Sequence, residues 1–96
     1  MSQNSVAHQI DERQIQLAGY EILEDSDQPG FFLWVRREHG HIVGGCETSL
    51  ESRDAIVAEL QGMMTEVLQE EAGVHAETWN TMPSNEKDAL IREQFC

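Results

Sequence analysis

Tyr20-Glu21-Ile22-Leu23-Glu24, Asp25-Ser26-Asp27-Gln28-Pro29-Gly30 and Phe31-Phe32-Leu33-Trp34-Val35-Arg36-Arg37-Glu38 form the stretch that decides the fold. The first five residues alternate enough for a strand. In the next six, Pro29 presets φ and Gly30 supplies the positive φ of a type II turn. Phe31 to Glu38, rich in aromatic and branched residues, is the strongest strand in the chain. His39-Gly40-His41 makes the next reversal. Ile42 to Thr48 reads as a third strand weakened by Gly44-Gly45, a pair that predicts a bulge or the close approach of another backbone.

Downstream, Thr48-Ser49-Leu50-Glu51 has the form of a capping box, so a long helix is expected from here to about Ala72, with Gly73 ending it. At 100° per residue Ile56, Leu60, Met63, Met64, Val67 and Leu68 share one arc, and Asp54, Glu59, Glu66 and Glu70 fall outside it. Val74 to Met82, with Trp79, is a short helix or an irregular segment. Pro83-Ser84 opens a last helix to Phe95, whose buried side is Ala89, Leu90, Ile91 and Phe95. Upstream, His8 to Leu17 reads as a short helix stopped at Ala18-Gly19, and residues 1–7 as a disordered leader ahead of a single domain over residues 8–96. The sum is an α+β domain: a three-stranded antiparallel sheet packed on a long helix, with short N-terminal and C-terminal helices. Both faces of Phe31 to Val35 are apolar. The long helix covers one face, and the terminal helices or a second copy of the chain must cover the other.

Composition narrows the function classes. The chain has 96 residues, 40% of them apolar, with 18 Asp and Glu against 6 Lys and Arg, for a net charge of −12. That suits one small globular domain and repels nucleic-acid backbones and anionic membranes, so the expected partner is a protein with a basic surface. A domain this small gains from self-association, which makes a homodimer the companion expectation. No apolar run is long enough to cross a bilayer and Met1 to Gln9 lacks the pattern of a signal peptide, so a cytoplasmic location is expected. Two cysteines, Cys46 and Cys96, are too few for a disulfide framework and are expected as free thiols.

Motifs for chemistry are sparse. Asp25-x-Asp27 with Gly30 opens like a calcium loop, but Pro29 and Arg36 stand where the ion needs oxygen ligands. His39, His41 and Cys46 offer three zinc-type ligands without an evident fourth. No phosphate-cradling glycine pattern occurs, and the single lysine, Lys87, is remote from Gly40, Gly44 and Gly45. Cys46 or Ser49 with His8, His39, His41 or His75 form no recognised nucleophile motif. No metal, cofactor or catalytic residue is therefore assigned, and the chain reads as non-enzymatic.

Charge patterning carries the functional reading. No Lys or Arg lies between Arg53 and Lys87, an interval holding Asp54, Glu59, Glu66, Glu70, Glu71, Glu77 and Glu86. Along a helix Glu59 and Glu66 are about 10.5 Å apart and Glu66 and Glu70 about 6 Å. These are separations of the order of those between phosphates on a nucleic-acid strand. The plainer reading is a solvated acidic face that keeps the protein soluble. Trp34 and Trp79 read first as core, as does Met63-Met64.

Leu17 to Ile22 and Asp25 to Trp34, followed by Ser49 to Leu60, resemble the hairpin-then-helix layout of small acidic accessory proteins from phages and mobile elements, among them inhibitors of the anti-restriction and anti-CRISPR kind. The resemblance covers about half of the chain, and no functional residue is carried over from it. It implies a non-enzymatic inhibitor occupying the nucleic-acid or subunit surface of a host protein, a DNA mimic in effect. The expected partner-binding residues are Glu59, Glu66 and Glu70, with Asp54, Asp25 and Asp27 as flanking contacts. The alternative is a structural or assembly subunit that binds a protein partner or itself through the apolar hairpin face at Phe32 and Trp34.

Overall fold

The computed structural model describes residues 10–46 and 48–95, so the expected leader over residues 1–7 lies outside the described residues. The order is α1 (Glu12–Leu17), β1 (Tyr20–Glu24), β2 (Phe32–Glu38), β3 (His41–Gly45), α2 (Arg53–Glu71), α3 (Ala76–Thr81) and α4 (Ser84–Phe95). The strands form an antiparallel sheet in the order β1-β2-β3, with Ile22 opposite Trp34 and Leu23 opposite Leu33. This is the expected α+β architecture, a sheet on a long helix with shorter helices at both ends.

Both hairpin turns follow from local chemistry. The Phe31 N–H donates to the Gln28 carbonyl at 3.0 Å, and Gly30 at φ +89 takes the position that a type II turn reserves for glycine. His39 and Gly40 both adopt positive φ, 53 and 82, which makes the second reversal a two-residue turn of the I′ kind and already places His41 in β3. The expected irregularity in β3 is present: Arg36 pairs with Gly44 and Arg37 with Ile42, leaving Val43 as the extra residue. A Cβ on Gly45 would lie 3.1 Å from the Trp34 carbonyl oxygen, so the close backbone approach is also real.

β3 ends at Gly45, earlier than Thr48, and α2 starts later than the capping-box reading predicts. Leu50 and Phe32 exchange two backbone hydrogen bonds of 2.7 Å, which keeps Leu50 extended against β2. The N-cap is therefore Ser52, whose hydroxyl accepts from the Ala55 N–H at 3.1 Å. Gly73 at φ +67 ends the helix, and the Val74 N–H turns back to the Leu68 carbonyl at 2.9 Å. Ile56, Leu60, Met64 and Leu68, spaced four apart, are wholly buried, with Met63 and Val67 half-buried beside them. Each such side chain contributes about 1.5–3 kcal/mol over an exposed one.

The short helices are held by charge and by aromatic contact. α1 starts at Glu12, capped reciprocally by Asp11 and Gln14, with bonds of 2.8 and 3.0 Å. Arg53 grips Glu12 through two bonds of 2.6 and 2.7 Å, joining α2 to α1. Arg13 grips Asp88 at 2.9 and 3.0 Å, joining α1 to α4. At the end of α4, Phe95 packs edge-on to Tyr20, which packs edge-on to Trp34. Ile91 and Phe95 are buried and Leu90 half-buried as expected. Ala89 instead faces solvent, a quarter-turn or more away from the Ile91–Phe95 ridge. Trp79 is wholly buried on α3, its indole N–H without a partner, and Lys87 Nζ lies 5.3 Å from its ring centre.

All of these contacts lie on one side of the sheet. The terminal helices join α2 over Tyr20, Ile22, Phe32 and Trp34 and do not cross to the opposite face. Among the described residues, no helix is long and apolar enough to cross a membrane.

The ion pairs give the fold an acid limit. Hydrogen bonds from Arg53 and Arg13 hold the carboxyls of Glu12 and Asp88 below their ordinary range. A carboxyl lowered by folding stabilises the fold above its unfolded pKa and loses that contribution as pH falls through the folded value. Urea midpoints measured from pH 7 downward should therefore drop below about pH 4, and Glu12→Gln with Asp88→Asn should flatten that drop. An equally steep drop in the double variant would assign it to other carboxylates.

Candidate interaction surface

The acidic residues of α2 do not form one patch. At 100° per residue Glu59, Glu66 and Glu70 fall within about 40° on one flank, whereas Asp54 lies about 140° from Glu59 around the axis. All four are exposed. Glu59 differs from the others in having a partner in the fold. Its Oε2 accepts a 2.6 Å hydrogen bond from the indole Nε1 of Trp34, which is only 9% exposed. The carboxylate thus ties helix to sheet, and its other oxygen remains for solvent or a ligand.

Glu66, Glu70 and Asp54 make no ion pair among the described residues. The reason lies in where the bases go. Of the six Lys and Arg, four are in ion pairs within the fold: Arg13 with Asp88, Arg36 with Glu38, Arg37 with Glu21, and Arg53 with Glu12. Arg36 also donates to the Phe95 carbonyl at 2.6 Å. Lys87 lies over Trp79. The sixth base, Arg92, is exposed near the end of α4, where its charge acts on Asp88, and among the described residues no base is paired with the flank of α2.

Asp25 and Asp27 sit in the β1–β2 turn, away from α2 in the chain. The Asp25 carboxylate accepts from the Asp27 N–H at 2.9 Å, and the Asp25 N–H donates to the Phe31 carbonyl at 2.8 Å. Asp25 therefore shapes the turn, and Asp27 is the more exposed of the two. His39 and His41 are exposed at one end of β3. Cys46, beyond the other end, accepts at Sγ from the Trp34 N–H at 3.3 Å. No group of three His, Cys, Asp or Glu side chains suited to a metal comes together among the described residues. A cleft of about 500 Å³ lies beside β1 and is lined by Glu12, Tyr20, Glu21 and Arg37 among others. Its charged walls are already paired, Glu21 to Arg37 and Glu12 to Arg53, and neither Cys46 nor Ser49 reaches it.

Phe32 and Trp34, the alternative interface residues, lie on the helix side of the sheet, with Trp34 in the core. The opposite side carries the alternate set, Leu23, Leu33 and Val35, which are half-buried and are not among the residues packed against the core. Ile42, paired with Arg37, continues this face onto β3 and is 56% exposed; its neighbour Val43 is 53% exposed. The sequence reading foresaw a second apolar face on Phe31 to Val35 but put the alternative interface on Phe32 and Trp34. The available signal was the size contrast between alternate positions: Tyr20, Phe32 and Trp34 are the larger side chains and fill the helix-covered side.

No family model matches the chain, and neither a curated protein nor a solved structure matches it.

Loss of the Trp34–Glu59 bond is measurable. Glu59→Ala leaves a buried indole N–H without an acceptor, for an expected cost of about 1–3 kcal/mol in urea unfolding. Glu59→Gln retains an acceptor oxygen and should recover most of that. Equal losses in both would show that the charge, and not the hydrogen bond, matters.

Proposed function

We propose that the protein is a non-enzymatic acidic interaction module of the cytoplasm, which binds a basic, nucleic-acid-handling protein and occupies the surface its nucleic acid would use. The observation that supports this reading is the flank of α2, where Glu66 and Glu70 stand exposed and, among the described residues, without an ion-pair partner. Glu59 presents its free carboxylate oxygen on the same flank. Carboxylates fixed on a rigid helix present acceptors to a Lys and Arg groove without the ordering that flexible acids would require. Asp54 and Asp27 act as flanking charges that steer the approach. The resemblance to acidic phage and mobile-element accessory proteins points to inhibition as the consequence. An assembly role through Phe32 and Trp34 would require the helical layer to lift from the sheet.

Exposed charges are screened over about 8 Å at physiological ionic strength, so the complex should weaken as salt rises. The immobilised chain should retain nucleic-acid-binding proteins from cell lysate at about 0.15 M salt and release them at high salt. Glu66→Lys with Glu70→Lys should reduce that retention at least tenfold, roughly the effect of losing two charge contacts. These positions are exposed and make no ion pair among the described residues, so the variant tests binding more than folding. Unchanged retention by the folded double variant contradicts the proposal.

A further inference from the structure

We propose that the free edge of β1 takes an additional strand from a partner protein, an extended segment that alternates apolar with basic residues. The surface is distinct from the acidic flank of α2 and does not rest on it. The register shows which main-chain groups are open. The Arg37 N–H donates to the Gly19 carbonyl and the Asp25 N–H to the Phe31 carbonyl, both at 2.8 Å. Bonded positions alternate in an antiparallel pair, so Glu21 and Leu23 complete the ladder with β2, while Tyr20, Ile22 and Glu24 turn their N–H and C=O groups the other way. β1 is the outermost strand on that side, and among the described residues no main-chain group outside the sheet bonds to them.

Beside this strand is the cleft of about 500 Å³, with Glu12, Ile15 and Gln16 of α1 on one wall and Gly19 to Ile22 with Arg37 on the other. Tyr20 is only 8% exposed, and a main-chain group without a partner costs most where water has least access. Open donors and acceptors beside a groove are the arrangement of strand addition, in which main-chain bonds supply affinity and alternate side chains supply selectivity. Three free positions two residues apart span about 13 Å, room for roughly five residues of a guest strand. β3, the other edge, suits a guest less well: Val43 is an extra residue against β2, and such a bulge breaks the even spacing of the edge.

Side chains and charge select the guest. Every second guest residue lies next to Tyr20 and Ile22, which with Ile15 belong to the core or pack against it, so these guest residues are apolar. The intervening ones lie next to Glu21, which gives one carboxylate oxygen to Arg37 and keeps the other. At the end of the strand Glu24 likewise gives one oxygen to the Gly30 N–H. Paired strands lie about 4.8 Å apart, so a second copy would bring a chain of charge −12 directly against its equal. Acids on an edge oppose pairing with their own kind and favour a basic strand.

A capped peptide of about seven residues, alternating valine and arginine, is the probe. Titrated into the ¹⁵N-labelled full chain at ~0.15 M salt, it should shift the Tyr20 and Ile22 amide signals downfield to saturation. The same peptide N-methylated at every amide keeps its charge but cannot donate, and should bind at least tenfold more weakly. Gln16→Trp, at an exposed residue that lines the cleft, should weaken the parent peptide as much. No shift at Tyr20 and Ile22 up to ~1 mM peptide overturns the proposal. Equal binding of the N-methylated peptide, or of one with glutamate in place of arginine, overturns it too. Shifts of these two signals on concentrating the free chain would give the edge to a second copy and contradict it as well. Glu66→Lys with Glu70→Lys should leave the peptide shifts in place; their loss there would put the peptide on α2, so the two proposals fail separately.

Discussion

Trp34 stands where the sheet, the long helix and the C-terminal helix meet. Its ring lies in the core formed with the Ile56-Leu60-Met64-Leu68 stripe, its edge contact with Tyr20 leads on to Phe95, and its indole N–H is satisfied by Glu59 of α2. A large aromatic with one polar atom can be buried cheaply only if that atom finds a partner. Glu59 supplies the partner from the flank of the helix and fixes the helix against β2. The contrast with Trp79, wholly buried with an unpaired N–H, marks how much of the structure leans on the Trp34 junction.

The distribution of charge follows from the same economy of scale. A domain of 96 residues has a small core, and its short terminal helices are secured by bidentate arginine pairs as well as by burial. The chain has six bases against 18 acids, and among the described residues none of the six is paired with Glu66 or Glu70 of α2. The molecule therefore has two surfaces of unlike character on opposite layers: a charged helical flank and a nearly neutral apolar sheet face.

Much of this was legible in the sequence. Pro29-Gly30 and His39-Gly40 determine two turns by backbone conformation alone, and the four-residue spacing from Ile56 to Leu68 determines the buried side of α2. The errors arose where a distant contact overrode a local signal. Thr48-x-x-Glu51 is a sound capping box, yet pairing of Leu50 with Phe32 holds it extended and passes the cap to Ser52. In β2 both alternating sets are apolar, so periodicity gave no way to choose between Phe32 and Trp34 on one side and Leu33 and Val35 on the other; the helices made that choice. Glu59 read as one more acid on a solvated arc because its partner lies 25 positions earlier in the chain.

The two tryptophans give only two indole N–H signals in a ¹H–¹⁵N spectrum, which makes the Trp34 junction directly observable. Hydrogen exchange of those two signals, compared between the wild type and Glu59→Ala, is the most direct measurement of the central claim. The Trp34 signal should be protected and shifted downfield in the wild type and should lose both properties in the variant, while Trp79 stays as it was. A Trp34 indole that exchanges as fast as an exposed one, or that ignores the loss of Glu59, would contradict the account.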